Sequence, residues 1–375
     1  MKPPRALWVV AGDAGGANAL WPTFPLLRGQ GVRLHLSGYA LTPTAWRARG
    51  EEVETLSDDL TVADAAERLR ASGVALLLTG TSLNGVNLEH RFLQAARGLG
   101  VRSLALLDFW SNYWPRFSPD GPSLERLPDR VAIMDSLARE EMCAAGFPAE
   151  RLRITGQPLL DDLESCRQSF TAERRRVLRH RTGSDARTLV LFVSQPLAQM
   201  RLLEQQTGGV DTGFDEETVI PVLLSTLERL HRERPLRLIV LPHPRESRTR
   251  WNAWLSDRDW ADLAPTACSA RELVLAAELT IGMHSMLLVE SVWLGCATLS
   301  VQLGLQGPDR LPVSRAGVIP RVERADELEG RIRGLLYPGP ERERHLTGLG
   351  QMPRLEQAAR RVSDLVMTMI SGEER

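Results

Sequence analysis

The most concentrated chemistry in this 375-residue chain is His284-Ser285, set just ahead of the apolar helical run Met286-Leu287-Leu288-Val289-Glu290-Ser291-Val292-Trp293-Leu294. Ser285 is a good N-cap, and a helix start offers unpaired N–H groups and the positive end of the helix dipole, a setting for phosphate. His284, Ser285 and Met286 at this turn are therefore candidate nucleotide contacts. Glu290 has Met286, Leu287, Val289, Trp293 and Leu294 at helical-neighbour spacings, so no polar stripe accommodates it. A carboxylate buried there needs partners. Ribose hydroxyls, which can donate two hydrogen bonds to one carboxylate, are the favoured partner; an arginine from elsewhere in the chain is the alternative.

A second histidine follows another apolar run. Leu236–Leu241 leads through Pro242 into His243-Pro244-Arg245-Glu246, which sets an imidazole and a guanidinium at a strand end as a phosphate-binding pair. Acids occupy comparable positions in the first half. Asp13 follows the run Ala6–Ala11 within Gly12-Asp13-Ala14-Gly15-Gly16-Ala17-Asn18, where it reads as a base or as a cap on the next helix. Thr79–Gly85, which includes Asn84, is a small polar rim of the same kind. Asp108 precedes Phe109–Phe117, a stretch holding five of the 20 aromatic residues, with Trp110 among them. Aromatic faces beside Asn and Arg suit a sugar ring or a base, and a loop packing its own aromatics is the alternative. Pro115 argues against a helix interior there. Asp257-Arg258-Asp259 has the form of a metal-binding acid pair but lies in a polar, tryptophan-rich stretch rather than after a strand. It reads as solvated, and no metal is expected.

These residues need a scaffold of buried strands. Ala6–Ala11, Arg33–Leu36, Val74–Leu78, Ser103–Leu107, Val131–Met134 and Leu152–Ile154 are short apolar runs, separated in places by helical stretches such as Ala63–Ala71 and Leu88–Leu99. After the polar stretch Asp161–Arg181 the pattern restarts with Leu189–Val193, Leu236–Leu241, Leu279–Gly282 and Ala297–Val301. The accompanying helices lie near Glu216–Glu233, Ala270–Glu278 and Ser285–Leu294. Strands apolar on both faces and alternating with helices form parallel sheets covered on both sides. The expected architecture is α/β: a first domain over residues 1–155, a linker helix over 156–186, a second domain over 187–350, and a C-terminal helix over 351–375 packing back on the first domain. The long polar stretch with Gly208-Gly209 and Gly213 has the composition of a lid.

The composition agrees with a globular enzyme, with 43% hydrophobic and 25% charged residues. A net charge of −1 provides no field for nucleic acid. All basic residues except Lys2 are arginine, so phosphate would be met by guanidinium, imidazole or backbone N–H. Cys143, Cys166, Cys268 and Cys296 form no CxxC motif and fit reduced thiols in a cytoplasm. Met1–Arg5 and the apolar run after it imitate a signal peptide, but Asp13 ends the run too early. The basic cluster Arg174, Arg175, Arg176, Arg179, His180 and Arg181 reads first as a solvated helix and second as a peripheral membrane contact.

Ser285…Glu290-Ser-Val-Trp-Leu-Gly295 resembles the Ser…Glu-x4-Gly element of lipid A disaccharide synthase, MurG-type transferases and UDP-N-acetylglucosamine 2-epimerases. His243-Pro244 resembles the His-Pro motif of bacterial sialyltransferases, β-Kdo transferases and CDP-glycerol-type glycerophosphotransferases. Gln195-Pro196 is similar to a Gln-Pro turn in some of those CMP-sugar enzymes. The resemblance implies a GT-B-like fold, two Rossmann-like domains facing a cleft, and covers residues 187–302 by motif and the first domain by topology. It implies Glu290 as ribose ligand, His284 and Ser285 as phosphate contacts, and Gln195, His243, Arg245 and Met286 beside them. Gly15, Gly16 and Asn18 would belong to a glycine-rich acceptor loop, with Asn84 and Trp110 on the same side. The activity implied is metal-independent glycosyl transfer in bacterial glycan or glycoconjugate (polysaccharide) biosynthesis. Its donor would be a UDP- or CMP-type nucleotide-sugar, bound as substrate rather than cofactor, and its acceptor a glycan, a lipid-linked molecule or a small molecule. Asp13 is the candidate base, Asp108 the reserve, and His243 a stabiliser of the leaving nucleotide. A homodimer is a further expected partner state. The alternatives are an epimerase or hydrolase of the 2-epimerase type and a non-catalytic nucleotide-sugar-binding protein. The epimerases' Gly-Thr-Arg-Pro-Glu start and His-Val-Glu-Ala-Gly segment are replaced here by Gly12-Asp13-Ala14-Gly15 and Leu107-Asp108-Phe109-Trp110, which places transfer ahead of epimerisation.

Overall fold

The computed structural model describes residues 5–207, 211–351 and 356–372. Met1–Pro4, the Gly208-Gly209 part of the expected lid, and Leu355 lie outside them. The chain divides into two compact units, Met1–Asp161 with Leu355–Arg375, and Asp162–Arg354.

The first unit is built on seven parallel strands: β1 (Ala6–Ala11), β2 (Arg33–Gly38), β3 (Glu54–Thr55), β4 (Leu76–Thr79), β5 (Arg102–Leu106), β6 (Arg130–Ile133) and β7 (Leu152–Ile154), in the order β3-β2-β1-β4-β5-β6-β7. β1 shows why the strand pattern reads as continuously apolar. Leu7, Val9 and Ala11 enter one hydrophobic cluster, while Ala6, Trp8 and Val10 enter the cluster on the opposite face. The first cluster is completed by Val362, Val366 and Met369 of the C-terminal helix Ala358–Ser371. Asp161 accepts the first backbone N–H groups of that helix, from Ala358 (2.8 Å) and Ala359 (2.7 Å), and so satisfies donors that its own N-cap residue leaves open.

The second unit repeats the scheme with six strands: β8 (Thr188–Val193), β9 (Leu236–Leu241), β10 (Ala261–Leu263), β11 (Leu279–Gly282), β12 (Thr298–Val301) and β13 (Arg321–Val322), in the order β10-β9-β8-β11-β12-β13. Both orders, renumbered within each unit, begin 3-2-1-4-5-6, the doubly wound arrangement of Rossmann-like domains. In each, the chain reverses direction across the sheet between the first and fourth strands. Loops leaving their carboxyl ends part to opposite faces there, and a crevice opens.

The differences from the sequence pattern have physical causes. β3, β10 and β13 hold two or three residues, too few to show periodicity. The polar stretch 161–181 is two helices, Leu163–Ser169 and Ala172–Arg181, rather than one. Tyr113–Phe117 is helical despite Pro115, because the third residue of a helix has no intrahelical N–H bond to lose. Part of the expected lid, Leu197–Thr207, is helix. The basic cluster is largely paired: Arg174 with Glu272, Arg179 with Glu278, Arg176 with Glu173 and His180 with Asp185. Arg174 and Arg179 fasten their helix to Glu272 and Glu278 within the second unit. No helix among the described residues is long and apolar enough to cross a membrane.

Candidate functional site

In the first unit the crevice at β1 and β4 gathers three acids. Asp13 follows β1. Its Oδ2 accepts the Leu83 N–H at 2.7 Å and its Oδ1 the Asn84 side-chain amide at 3.1 Å. Its side chain does not cap the helix Ala14–Leu20 that it precedes, so the capping alternative is not realised. Behind it lies Glu89, 3% exposed, in the first turn of the helix Leu88–Leu99. Glu89 Oε1 accepts from Ser82 Oγ (2.5 Å) and Gly12 N (3.1 Å), and Oε2 accepts from the Tyr39 hydroxyl (2.5 Å). Ser82 Oγ in turn accepts from Gly12 N (3.1 Å) and Asp13 N (2.9 Å). Burial raises the Glu89 carboxyl above its ordinary value, and the Ser82 and Tyr39 hydroxyls pull against that rise. The Tyr39 hydroxyl is likewise pushed up, first by burial and then by Glu89. A Cβ at position 12 would stand 2.2 Å from the Tyr39 ring, so only glycine lets the ring seat under the loop.

The third acid, Asp108, is engaged otherwise. Its Oδ1 accepts from Arg116 (2.5 Å) and from Thr81 Oγ1 (2.9 Å), and Arg116 also donates to the Thr81 carbonyl and, through Nε, to the Ser111 carbonyl. A Cβ on Gly15 would come within 2.4 Å of Asp108 Oδ2, so Gly15 makes room for this ion pair. Gly16 is buried and Asn18 half-buried on the adjoining helix. Trp110 corrects the expected aromatic platform: it is 3% exposed and its indole N–H is donated to Asp135 (2.8 Å), so it packs rather than presents a face. Ala40, Asn87 and Asn112, which follow β2, β4 and β5, have positive φ. Strained backbone on three loops at one edge of a sheet marks a rim whose shape is over-determined by its surroundings.

In the second unit the equivalent crevice lies at β8 and β11. Gln195, after β8, accepts the His284 backbone N–H through Oε1 at 3.0 Å. His284 is buried edge-to-face against Phe214 (5.8 Å between ring centroids), and its Nδ1 has no partner. Burial, then the nearby Arg310, lowers its pKa to about 4, so at neutral pH the imidazole is uncharged. Ser285 caps the helix Met286–Trp293, accepting from Leu287 N (3.2 Å), with Met286 half-buried at its first position. After β9, His243 Nδ1 accepts the Arg245 N–H at 3.1 Å, which leaves the proton on Nε2 as a donor. Glu246 holds this loop: it accepts His243 N (2.6 Å), Ser194 Oγ (2.8 Å) and the Trp251 indole N–H (3.3 Å).

Glu290 has the second of its two expected partners. Its Oε2 accepts from Arg271 Nε at 2.6 Å, and Arg271 reaches onward to both Asp162 oxygens at 2.7 and 2.8 Å. Burial raises the Glu290 carboxyl and Arg271 offsets part of the rise. Asp257 and Asp259 are exposed after the helix Arg248–Leu255. Among the described residues no cluster of three or more His, Cys, Asp or Glu side chains could hold a metal ion.

No protein-family model and no curated protein matches the chain. Solved structures do. The UDP-GlcNAc 2-epimerase from Neisseria meningitidis, bound to UDP-GlcNAc, aligns with a TM-score of 0.71 at 11% identity over 98% of this chain and 100% of that one. MurG from Acinetobacter baumannii aligns at 0.59 and 14% identity over 97% and 100%, and a glycosyltransferase from Rickettsia africae at 0.64 and 10% over 98% and 99%. The fold is GT-B.

Sequence reasoning reached the strand-end residues of both GT-B domains but missed Glu89 and Tyr39, and held Ser82 only as part of the polar rim Thr79–Gly85. The signal was available for Glu89. Phe92, Leu93 and Ala96 stand three, four and seven residues beyond it and are all buried, the same spacing test that singled out Glu290. Tyr39 and Ser82 carry no such pattern, because what assigns them is contact across 50 and seven residues of chain.

Proposed function

We propose that this chain is a glycosyltransferase that moves a sugar from a nucleotide-sugar donor to an acceptor hydroxyl. The observation that carries the reading is the orientation of a carboxylate at the end of β1. Asp13 receives the Leu83 N–H on one oxygen and the Asn84 amide on the other. One oriented carboxylate is what deprotonation of an acceptor hydroxyl requires. The nucleotide belongs on the second unit. Its pyrophosphate would meet the helix start at Ser285, the Nε2–H of His243 and the guanidinium of Arg245, and Gln195 holds the turn that carries His284. Glu290 would take the ribose hydroxyls, with Arg271 holding the carboxylate in place.

A UDP-sugar is the first donor to test, because the N. meningitidis neighbour is bound to UDP-GlcNAc. A thermal-shift series with UDP, CMP, CDP, GDP and their sugars should show the largest stabilisation with a uridine nucleotide, since a ligand that binds only the folded state raises its melting temperature. Product analysis with UDP-N-acetylglucosamine then separates the activities. Sugar on an added acceptor supports transfer; the 2-epimer formed without acceptor refutes it. Turnover should survive EDTA, because on this reading guanidinium, imidazole and helix N–H groups neutralise the leaving phosphate.

A further inference from the structure

Glu89 is a buried acid that the proposed reaction does not use. Its three hydrogen-bond donors are neutral, no cationic side chain among the described residues pairs with it, and the charged group acting on it is Asp13, which raises its pKa further. A carboxylate removed from water without a cation is costly unless its donors are well placed. Here they lead to Asp13 by two routes. On the first, Ser82 donates its single proton to Glu89 Oε1, so its lone pairs face the backbone N–H groups of Gly12 and Asp13. On the second, the Tyr39 hydroxyl, whose single proton goes to Glu89 Oε2, accepts the Leu88 N–H at 3.1 Å and so seats the loop that carries Asn84. Asn84 Nδ2 is the donor to Asp13 Oδ1. Glu89 thus stands behind both the peptide that carries Asp13 and the amide that orients its carboxylate.

We infer that Glu89 is a positioning residue for Asp13, acting through Ser82 on the Gly12-Asp13 backbone and through Tyr39 and Asn84 on the Asp13 side chain. The inference rests on Asp13 being the base of the proposed reaction. It adds a group that never touches substrate. The arrangement separates turnover from donor binding, because none of these residues belongs to the nucleotide motifs of the second unit.

The test has a substrate-free arm and a turnover arm. Amide hydrogen exchange at Gly12 and Asp13 is measured in Ser82→Ala, Glu89→Leu and Glu89→Gln. Protection of the Asp13 amide should fall at least ten-fold in Ser82→Ala, which removes its acceptor. Protection of both amides should fall as far in Glu89→Leu, which frees the Ser82 hydroxyl to turn, and both should persist in Glu89→Gln, which keeps Oε1 as an acceptor. Unchanged protection in Ser82→Ala, the variant less at risk of misfolding, overturns the assignment. In the second arm, UDP release from UDP-N-acetylglucosamine is followed with water as acceptor. Ser82→Ala should lower kcat about ten-fold with KM within two-fold, and Glu89→Gln should retain most of kcat. Full kcat in Ser82→Ala, with Asp13→Asn inactive, overturns the positioning role and leaves the base intact. Full kcat in Asp13→Asn overturns the base assignment itself, and the positioning role falls with it.

Discussion

Glu89 and Glu290 are buried glutamates on helices that follow the fourth strand of their respective sheets, and the two domains stabilise them by opposite means. Glu89 is met by two hydroxyls and a backbone N–H, with Asp13 as its charged neighbour. Glu290 is met by Arg271, which Asp162 holds from the other side. In the first unit, hydroxyls and a backbone N–H satisfy Glu89 without a cation among the described residues. Arg271 supplies a compensating cation to Glu290 in the second. The proposed function assigns proton transfer to the first unit and nucleotide binding to the second.

The largest expected effect would break that division outright. Asp13→Asn should lower turnover by about 10²–10⁴, the range for a lost general base, with nucleotide affinity unchanged by calorimetry. Weakened nucleotide binding in this variant would bring the donor against the first unit and end the comparison. Next in size is Arg271→Ala, which strands Glu290 without its cation. Removing one partner of a buried ion pair costs about 3 kcal/mol, read as a lower urea midpoint. Adding Glu290→Gln should recover part of the loss in a double-mutant cycle, and a strictly additive double variant would mean that the pair carries no coupling.

Glu290→Gln alone should weaken uridine nucleotide binding by roughly 1.5–3 kcal/mol, the contribution of charge-assisted hydrogen bonds to ribose. Calorimetry with equal affinities would leave Glu290 as Arg271's partner and nothing more. The smallest effect is in pH dependence. The folded-state pKa of Glu89 is raised, so the native state binds that proton more tightly than the unfolded chain does. Stability from this group is therefore greatest below the ordinary carboxyl value and declines as pH rises towards the raised one. Glu89→Gln removes the decline, and its stability relative to wild type should grow from pH 4.5 upwards in urea titrations. Glu290→Gln, which leaves Arg271 without that carboxylate, should gain less. Equal gains would erase the difference drawn between the two acids.

Much of the scaffold could be read from alternation alone. Ala6–Ala11, Leu152–Ile154, Leu236–Leu241 and Leu279–Gly282 are strands over those same residues; the first and last are buried throughout and carry no charge, while Arg153 and Arg237 in the other two are only partly buried. Leu88–Leu99 and Glu216–Glu233 follow their helical periodicity to the residue. The short edge strands β3, β10 and β13 left no such trace, and Pro115, which argues against a helix interior, stands in the first turn of a short helix. At the sites, sequence found the residues that follow strands, since topology alone sends such loops to the crevice. It misjudged Trp110, whose partner Asp135 lies 25 residues away, and passed over Glu89, whose partners come from three separate loops.

The sequence by itself determined the alternation of strands and helices, the phosphate-suited turn at His284-Ser285, and the fact that Glu290 must have a partner. Those properties depend on neighbours within a few residues, where hydrophobic periodicity and helix-terminal dipoles act. Only the tertiary structure decided that the partner is Arg271, that Asp108 is bound to Arg116 while Asp13 is oriented by Leu83 and Asn84, and that Glu89 underlies the Asp13 loop. Hydrogen bonds and ion pairs are made within about 3 Å in space, whatever the separation along the chain. The order β3-β2-β1-β4 brings Gly12, Tyr39 and Ser82 onto adjacent strand ends, a juxtaposition that no local pattern of residues encodes.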